Sequence, residues 1–332
     1  MISDFLTRGA ILSKGRIVSF GDERAEYKAL ESAVIVPLLG HTALRVTGED
    51  RLDFIHGQVS NQVKGLKPNT FSENLMLNHK GHALSQLRVF RREEDLFLTV
   101  EGGAGEFVER ELRAHIIFDQ VELQNLSQTI MSFTVQGVSA AQVLSSFGSD
   151  LPSDGAFIQV PFANAKILIQ ASRRTQQGGF DIHVLLKDTE ALLAVLLKAG
   201  ASLAGEKALE ISRIEAGIAY AETEAGEGIL PQEAGLEHCI SYTKGCYLGQ
   251  EIMARIEARG IMRRSLRQLK VSGTPIDRNI VVGEKTVGQL GAWAEHPSLG
   301  VIALAVLRND LASDAVLDVS GLEAKVFAII HE

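Results

Sequence analysis

The sequence predicts an α+β protein that ends in an all-β domain. Three observations carry this reading. Apolar residues at helical spacing alternate with paired strand-like runs, without the regular βαβ rhythm of a parallel sheet. After Gly260 helical spacing gives way to period-two alternation, as in Gln268 to Val271 and Ile302 to Val306. At 332 residues there is room for two or three domains, and 45% hydrophobic content supplies their cores.

Taken in order, a strand end at Val46 leads into a helix that reaches Gln58, with Asp50 as N-cap and Leu52, Ile55 and Val59 at helical spacing. Phe71 to Val100 reads as strands, turned at Asn78–His82, where Gly81 supplies a positive dihedral, and at Glu94–Asp95. A turn at Glu101–Gly105 precedes an amphipathic helix marked by Phe107, Val108, Leu112, His115 and Ile116. Val121–Leu126 and Thr129–Gln136 are strands, Ser139–Phe147 is a helix, and Phe157–Val160 pairs with Ile167–Ile169. Phe180–Leu186 is a strand and Thr189–Lys198 a helix. The helix Lys207–Ala216 stops at Gly217, a natural residue for the turn after a helix. A polar loop runs from Ala219 to about Tyr242, and Gln250–Arg259 is helical up to Gly260. The β domain follows, at 263–332, with a hairpin turn at Val282–Lys285.

Composition limits the partners. Lys and Arg number 33 and Asp and Glu 41, a net charge of −8, which argues against a surface coated with nucleic acid but allows a local basic groove. Only Cys239 and Cys246 are present, no disulfide framework, which fits a reducing compartment. No basic segment leads into a long apolar run at the N-terminus, so no secretory signal is expected. The apolar stretch Ala191–Leu197 stops at Lys198, far short of the ~20 residues a membrane span needs. The expectation is a cytoplasmic monomer without stable nucleic-acid or membrane binding.

The densest chemistry lies in Lys244-Gly-Cys-Tyr-Leu-Gly-Gln-Glu251, running on to Arg255 and Arg259-Gly260. Cys246 follows a lysine by two residues and precedes a helix, and backbone N–H groups and an ammonium both favour thiolate. The plainer alternative is a small buried cysteine at a strand–turn–helix junction. Glu251 and Arg255 are spaced for an i,i+4 ion pair. Glu215 ends a helix, where the dipole disfavours a carboxylate, so a specific donor is expected there. That donor is either Arg213 or another arginine, or the amidine-like edge of a ligand. The basic run Arg255, Arg259, Arg263, Arg264, Arg267 and Lys270 is either a solvated face or a seat for a polyanionic tail. His79 and His82 are too few for a metal site, and none is expected. Gly102–Gly105 lacks the marks of a P-loop or dinucleotide fingerprint.

On these residues the chain resembles the YgfZ-type folate-binding proteins of iron–sulfur cluster maintenance, relatives of the glycine-cleavage T-protein, an aminomethyltransferase. The match rests on Lys-Gly-Cys-Tyr-Leu-Gly-Gln-Glu at 244–251 with Arg255 and Arg259-Gly260. Val46-Thr-Gly-Glu-Asp50, Phe54-Ile-His-Gly-Gln-Val59, the hairpin Asn78–Val89, Ile214-Glu-Ala-Gly217 and Pro231-Gln-Glu233 support it. The resemblance implies a three-domain ring around a central folate cavity. Residues 1–50 and 125–255 would form a discontinuous first domain, 51–124 an inserted ferredoxin-like domain, and 263–332 a C-terminal β-barrel. It implies tetrahydrofolate or a derivative as ligand. Glu215 would bind the pterin edge, and Tyr220, Leu209, Lys244, Tyr247, Gln250, Glu251, Arg255 and Arg259 would contribute to the site. Cys246 is the expected reactive thiol. The T-protein carries two aspartates where this chain has Ser85-Gln86, which counts against aminomethyl transfer, and it lacks the Lys-Gly-Cys motif. The implied function is an accessory role for iron–sulfur enzymes or cluster-assembly proteins, including enzymes that modify tRNA. Two other readings stay open: a tetrahydrofolate-dependent one-carbon transferase, and a folate-independent adaptor that recognises partners through the cysteine loop.

Overall fold

The computed structural model describes residues 2–148, 150–260, 262–312 and 315–329. The elements begin with α1 (Ile2–Thr7), β1 (Ile11–Ser13), β2 (Arg16–Ser19), α2 (Glu23–Lys28), β3 (Val34–Pro37), β4 (Thr42–Thr47) and α3 (Arg51–Gln58). Next come β5 (Thr70–Leu77), β6 (Ala83–Arg91), β7 (Leu96–Val100), α4 (Gly105–His115), β8 (Glu122–Asn125), β9 (Ile130–Gln136) and α5 (Ala140–Val143). They continue with β10 (Phe157–Phe162), β11 (Ala165–Ser172), β12 (Gly179–Leu185), α6 (Thr189–Lys198), β13 (Ser202–Leu203), α7 (Glu206–Glu215), α8 (Ala221–Glu224) and α9 (Gln250–Arg259). The last six strands are β14 (Arg264–Val271), β15 (Asn279–Val282), β16 (Lys285–His296), β17 (Gly300–Arg308), β18 (Leu317–Val319) and β19 (Leu322–Ile329).

By compactness the chain divides into two units. The first comprises Met1–Phe54, Val63–Ser72 and Leu87–Ser212; the second comprises Ile55–Gln62, Glu73–Gln86 and Arg213–Glu332.

The first unit is layered. Its six-stranded sheet has the order β10-β11-β12-β9-β3-β13, all antiparallel except the parallel pair β13–β3. One face carries Phe133, Val135, Ile169, Ile182 and Val184, covered by Phe5 of α1, Val143 of α5 and Leu192, Leu193 and Leu196 of α6. Strand alternation puts Leu168 and His183 on the other face, where Phe71, Phe90 and Phe97 pack. These phenylalanines belong to a sheet of order β5-β6-β7-β4-β8. Asp50 stands before α3, as expected of a cap, but its carboxylate accepts the Gln120 N–H at 2.7 Å.

The second unit is built on a closed barrel, β14-β17-β16-β15-β18-β19, in agreement with the expected C-terminal barrel. Both faces of β17 are buried. Ala303, Ala305 and Leu307 join the cluster made entirely of barrel residues, with Leu269, Ile280 and Leu290. Ile302, Leu304 and Val306 instead pack with Ile214, Ala234, Leu236, Tyr247 and Met253. The small residues suit the narrow interior, and the large ones seat the chain between α7 and α9. That stretch, expected as a loop, contains α8 and a 3-10 turn at Glu237–Cys239.

Candidate functional site

The Lys-Gly-Cys segment is held at both ends within the second unit. Gly249 takes the left-handed conformation (φ 85°), and a Cβ there would lie 2.8 Å from the Asn78 carbonyl oxygen. Only glycine permits both, so the backbone of the Asn78–His82 turn lies against the start of α9. Gly81 in that turn (φ 77°) leaves room for Met253 and Ile252 of α9 in the same way. Lys244 is buried, and its ammonium donates to the carbonyls of His56, Val59 (2.5 Å) and Asn61 (3.1 Å). A cation over the last carbonyls of α3 complements the negative end of that helix. Burial brings the Lys244 amine down to about 8, and it stands 4.8 Å from the centre of the Tyr247 ring. Burial likewise pushes Tyr247 up to about 12, and its hydroxyl has no hydrogen-bond partner among the described residues.

Between these anchors Cys246 is exposed, so the reading of a buried cysteine at this position is corrected. Gly245 precedes it and Gly249 follows three residues on, while Lys244 is buried. Gln250 is half-buried at the first position of α9. Glu251 and Arg255 form the i,i+4 pair at 2.5 Å, with side chains 77% and 62% exposed. Arg259 closes the helix, but its side chain lies outside the described residues.

Glu215 ends α7. Arg213, fully buried, is committed to Glu224 (3.1 Å), the Ile218 carbonyl (2.8 Å) and Thr223 (3.2 Å), with its guanidinium over the Tyr220 ring. Glu224 also accepts N–H groups from Tyr220 (2.7 Å) and Ala292 of β16 (2.8 Å), tying this segment to the barrel. The half-exposed Glu215 carboxylate instead stands 3.7 Å from Nε2 of His296. Gln268 of β14 donates to the Ile214 and Glu215 carbonyls at 2.7 Å each, satisfying the end of α7.

Residues 19–244 match the model of the GCVT N-terminal domain, two thirds of the sequence. The chain belongs to that family. Among its relatives is the tRNA-modifying protein YgfZ of Yersinia enterocolitica, 30% identical over 289 residues, covering 82% of this chain and 84% of that protein. An aminomethyltransferase of Caldanaerobacter subterraneus is 26% identical over 275 residues, covering 79% of this chain and 72% of the relative. The crystal structure of aminomethyltransferase T from Bartonella henselae superposes with a TM-score of 0.86 at 17% identity, covering 98% of this chain and 95% of that one. The chain is thus YgfZ-type and has the T-protein fold.

In this GCVT-family chain the remaining expected positions are distributed as follows. Leu209 is 7% exposed and packs with Leu30, Val34, Val36, Leu38 and Ala208 in the first unit. Ser85 and Gln86 are buried, and Gln86 accepts the Ala221 N–H at 3.1 Å. Of the basic run, Arg264 makes a two-pronged pair with Glu233 (2.9 and 2.7 Å), and Arg267 donates to Asn309. Arg263 and Arg264 line a cavity of about 950 Å³ on the barrel, together with Arg308, Asn279 and Gln289.

Sequence reasoning missed a buried charge cluster in the first unit. Arg174 pairs with Glu101 (2.8 Å) and Asp181 (2.7 Å), Arg88 pairs with Glu101, and His41 lies 2.8 Å from Glu101. Burial by itself would raise Glu101, but Arg174, His41 and Arg88 hold its carboxyl well below the usual carboxylate range. Two arginines balance two carboxylates, which is what charges require away from water. Glu101 and Arg174 lie 73 residues apart, just past the ends of β7 and β11, so no local pattern announces their pairing.

Proposed function

We propose that this chain is a cytoplasmic tetrahydrofolate-binding accessory protein for the assembly or repair of iron–sulfur enzymes, including those that modify tRNA. The observation that carries the proposal is the Lys-Gly-Cys loop: an exposed thiol on a segment anchored by Lys244 and Gly249. A relative named tRNA-modifying protein YgfZ supports it. Both cysteines are free, which suits a reducing cytosol.

The residues present fit a reduced folate. Glu215 offers a carboxylate that can accept two N–H bonds from a pterin edge, oriented by His296. Tyr247 offers a buried hydroxyl without a hydrogen-bond partner among the described residues, and Tyr220 follows Glu215 by five residues, with the Arg213 guanidinium over its ring. Gln250, Glu251 and Arg255 follow Cys246 on the first turns of α9, and Glu251 and Arg255 are exposed there; Arg259 is assigned to the site by its place in the motif. The cavity lined by Arg263, Arg264 and Arg308 also holds Glu233 and Asp310, which pair with Arg264 and Arg308, so Arg263 is the residue we assign to the anionic tail of a polyglutamyl folate. We assign the three-part domain division of the T-protein to this chain on the same reading.

The experiment has two arms. Calorimetry with tetrahydrofolate should give saturable binding, lost or weakened in Glu215→Ala; absence of binding would end the folate assignment. In cells lacking the protein, the wild type should restore the activity of an iron–sulfur tRNA-modifying enzyme and Cys246→Ser should not. Full rescue by Cys246→Ser would remove the thiol from the function.

The second reading, a one-carbon transferase, is favoured by relatives named aminomethyltransferase. Against it stand Ser85 and Gln86, neither of which carries the carboxylate of the T-protein positions.

A further inference from the structure

A second chemical cluster lies in the second unit, around the other cysteine. Glu73 of β5 and the neighbouring His238 and Cys239 of the 3-10 turn each bring one metal-ligating atom within 4.8 Å of the other two. Nε2 of His238 already stands 3.1 Å from the Glu73 carboxylate. The edges of a tetrahedral zinc site are about 3.3–3.8 Å, from bonds of about 2.0–2.3 Å. Small side-chain rotations therefore bring all three atoms to ligating distance.

The backbone holding these ligands is pinned. Ser60 donates to the Cys239 carbonyl (2.6 Å) and accepts the Leu75 N–H (2.9 Å). The Asn61 side chain donates to the carbonyls of both Glu73 (3.0 Å) and His238 (2.9 Å). One dipeptide thus couples the strand and the turn that carry the ligands, the kind of support that holds a metal site in shape. The set also spans inside to outside: Cys239 is fully buried, whereas the His238 side chain is 55% exposed and provides the path of entry.

We propose that Glu73, His238 and Cys239 form a site for a zinc-type divalent cation, with a fourth position open to water. Thiolate, imidazole and carboxylate together suit a borderline ion such as Zn²⁺ rather than Mg²⁺ or Ca²⁺. The charges close: one thiolate and one carboxylate neutralise the dication. On binding, the Cys239 S–H bond breaks, a metal–sulfur bond forms and the proton leaves to solvent. The bound ion ties β5 to the turn that leads into the Lys-Gly-Cys loop.

The test uses the full chain, stripped of metal by a chelator and titrated with Co²⁺ and then Zn²⁺. The wild type and Cys246→Ser should show a thiolate-to-cobalt charge-transfer band, displaced by Zn²⁺ with release of protons. Cys239→Ser should lose the band. Glu73→Gln and His238→Ala should weaken Zn²⁺ binding by more than about 100-fold, beyond the range for losing an outer-shell partner. Because Cys239 is buried, the exposed His238 variant carries the test in a protein whose folding is not at issue. A band absent from the wild type, a band lost in Cys246→Ser but kept in Cys239→Ser, or wild-type affinity in His238→Ala would each overturn the assignment and leave Glu73–His238 as an ion pair only.

Discussion

His296 presents Nε2 to the Glu215 carboxylate at 3.7 Å, while its Nδ1 accepts the N–H groups of Ser298 and Leu299 at 3.1 Å each. The two backbone donors require a lone pair on Nδ1. The ring proton is therefore on Nε2, aimed at Glu215. A turn at the end of β16 thus sets the donor beside a carboxylate at the end of α7, where the helix dipole gives no support.

Glu215→Ala is expected to weaken reduced-folate binding by roughly 1.5–3 kcal/mol, the value of hydrogen bonds to a charged group. His296→Ala should weaken it less, because it removes only the group that orients the carboxylate. Calorimetry on both variants checks the order, and an unchanged affinity in Glu215→Ala would take that residue out of the site.

Breaking the Arg213–Glu224 pair from one side should be costly, because both side chains are fully buried. Glu224→Gln is expected to lose about 3–5 kcal/mol of stability, since it leaves a buried guanidinium uncompensated. Urea unfolding measures this; a loss below about 1 kcal/mol, the range of exposed ion pairs, would contradict it.

Gly249→Ala should destabilise by at least about 1–2 kcal/mol, the left-handed cost for a residue with a Cβ. Contact with the Asn78 carbonyl adds to this. The same variant should change the rate of Cys246 alkylation, because the loop can no longer seat against the turn.

Stability should fall on mild acidification through His183. Burial pushes this imidazole down to about 3, against 6.5 for the free side chain. Between those values the unfolded chain holds the extra proton, so the contribution is complete above pH 6.5 and is lost as pH falls toward 3. His183→Gln, which does not titrate there, should flatten the dependence of the urea midpoint on pH between about 6.5 and 5. An equally steep profile in the variant would count against His183.

Aminomethyl transfer is expected to be absent in a reconstituted glycine-cleavage assay, because Ser85 and Gln86 bring no carboxylate. If the arginine-lined cavity seats the folate tail, affinity should rise with tail length and fall with salt. Equal affinity for mono- and polyglutamyl folate would separate the arginines from the ligand.

Elements fixed by local periodicity were legible in the sequence. Thr189–Lys198 and Gln250–Arg259 have the expected bounds, and Gly217 and Gly260 end their helices with positive φ. The strand turns at Asn78–His82 and Val282–Lys285 were equally plain, because glycine marks them. Helix α8 was not, since four residues have no period; its place is set by Glu224 reaching Ala292 of β16. The cluster of Arg88, Glu101, Arg174 and Asp181 was invisible for a related reason: each charge looks solvated until Glu101 and Arg174, 73 residues apart, are seen to meet. The candidate site was half legible. The motif pointed to the loop and to Glu215, but nothing near Glu215 pointed to His296, and Lys244, expected to act on Cys246 and the ligand, donates instead to three backbone carbonyls.

That arrangement makes Lys244 and Cys246 opposite reporters of one loop. The amine, with three backbone acceptors, is shielded from acylating reagents as long as the segment stays seated, while the thiol two residues on is open to alkylation. Acylation of Lys244 therefore clocks the unseating of the loop from α3, and a ligand or partner that grips the loop would slow both reactions, whereas one that merely covers the thiol would slow only the second.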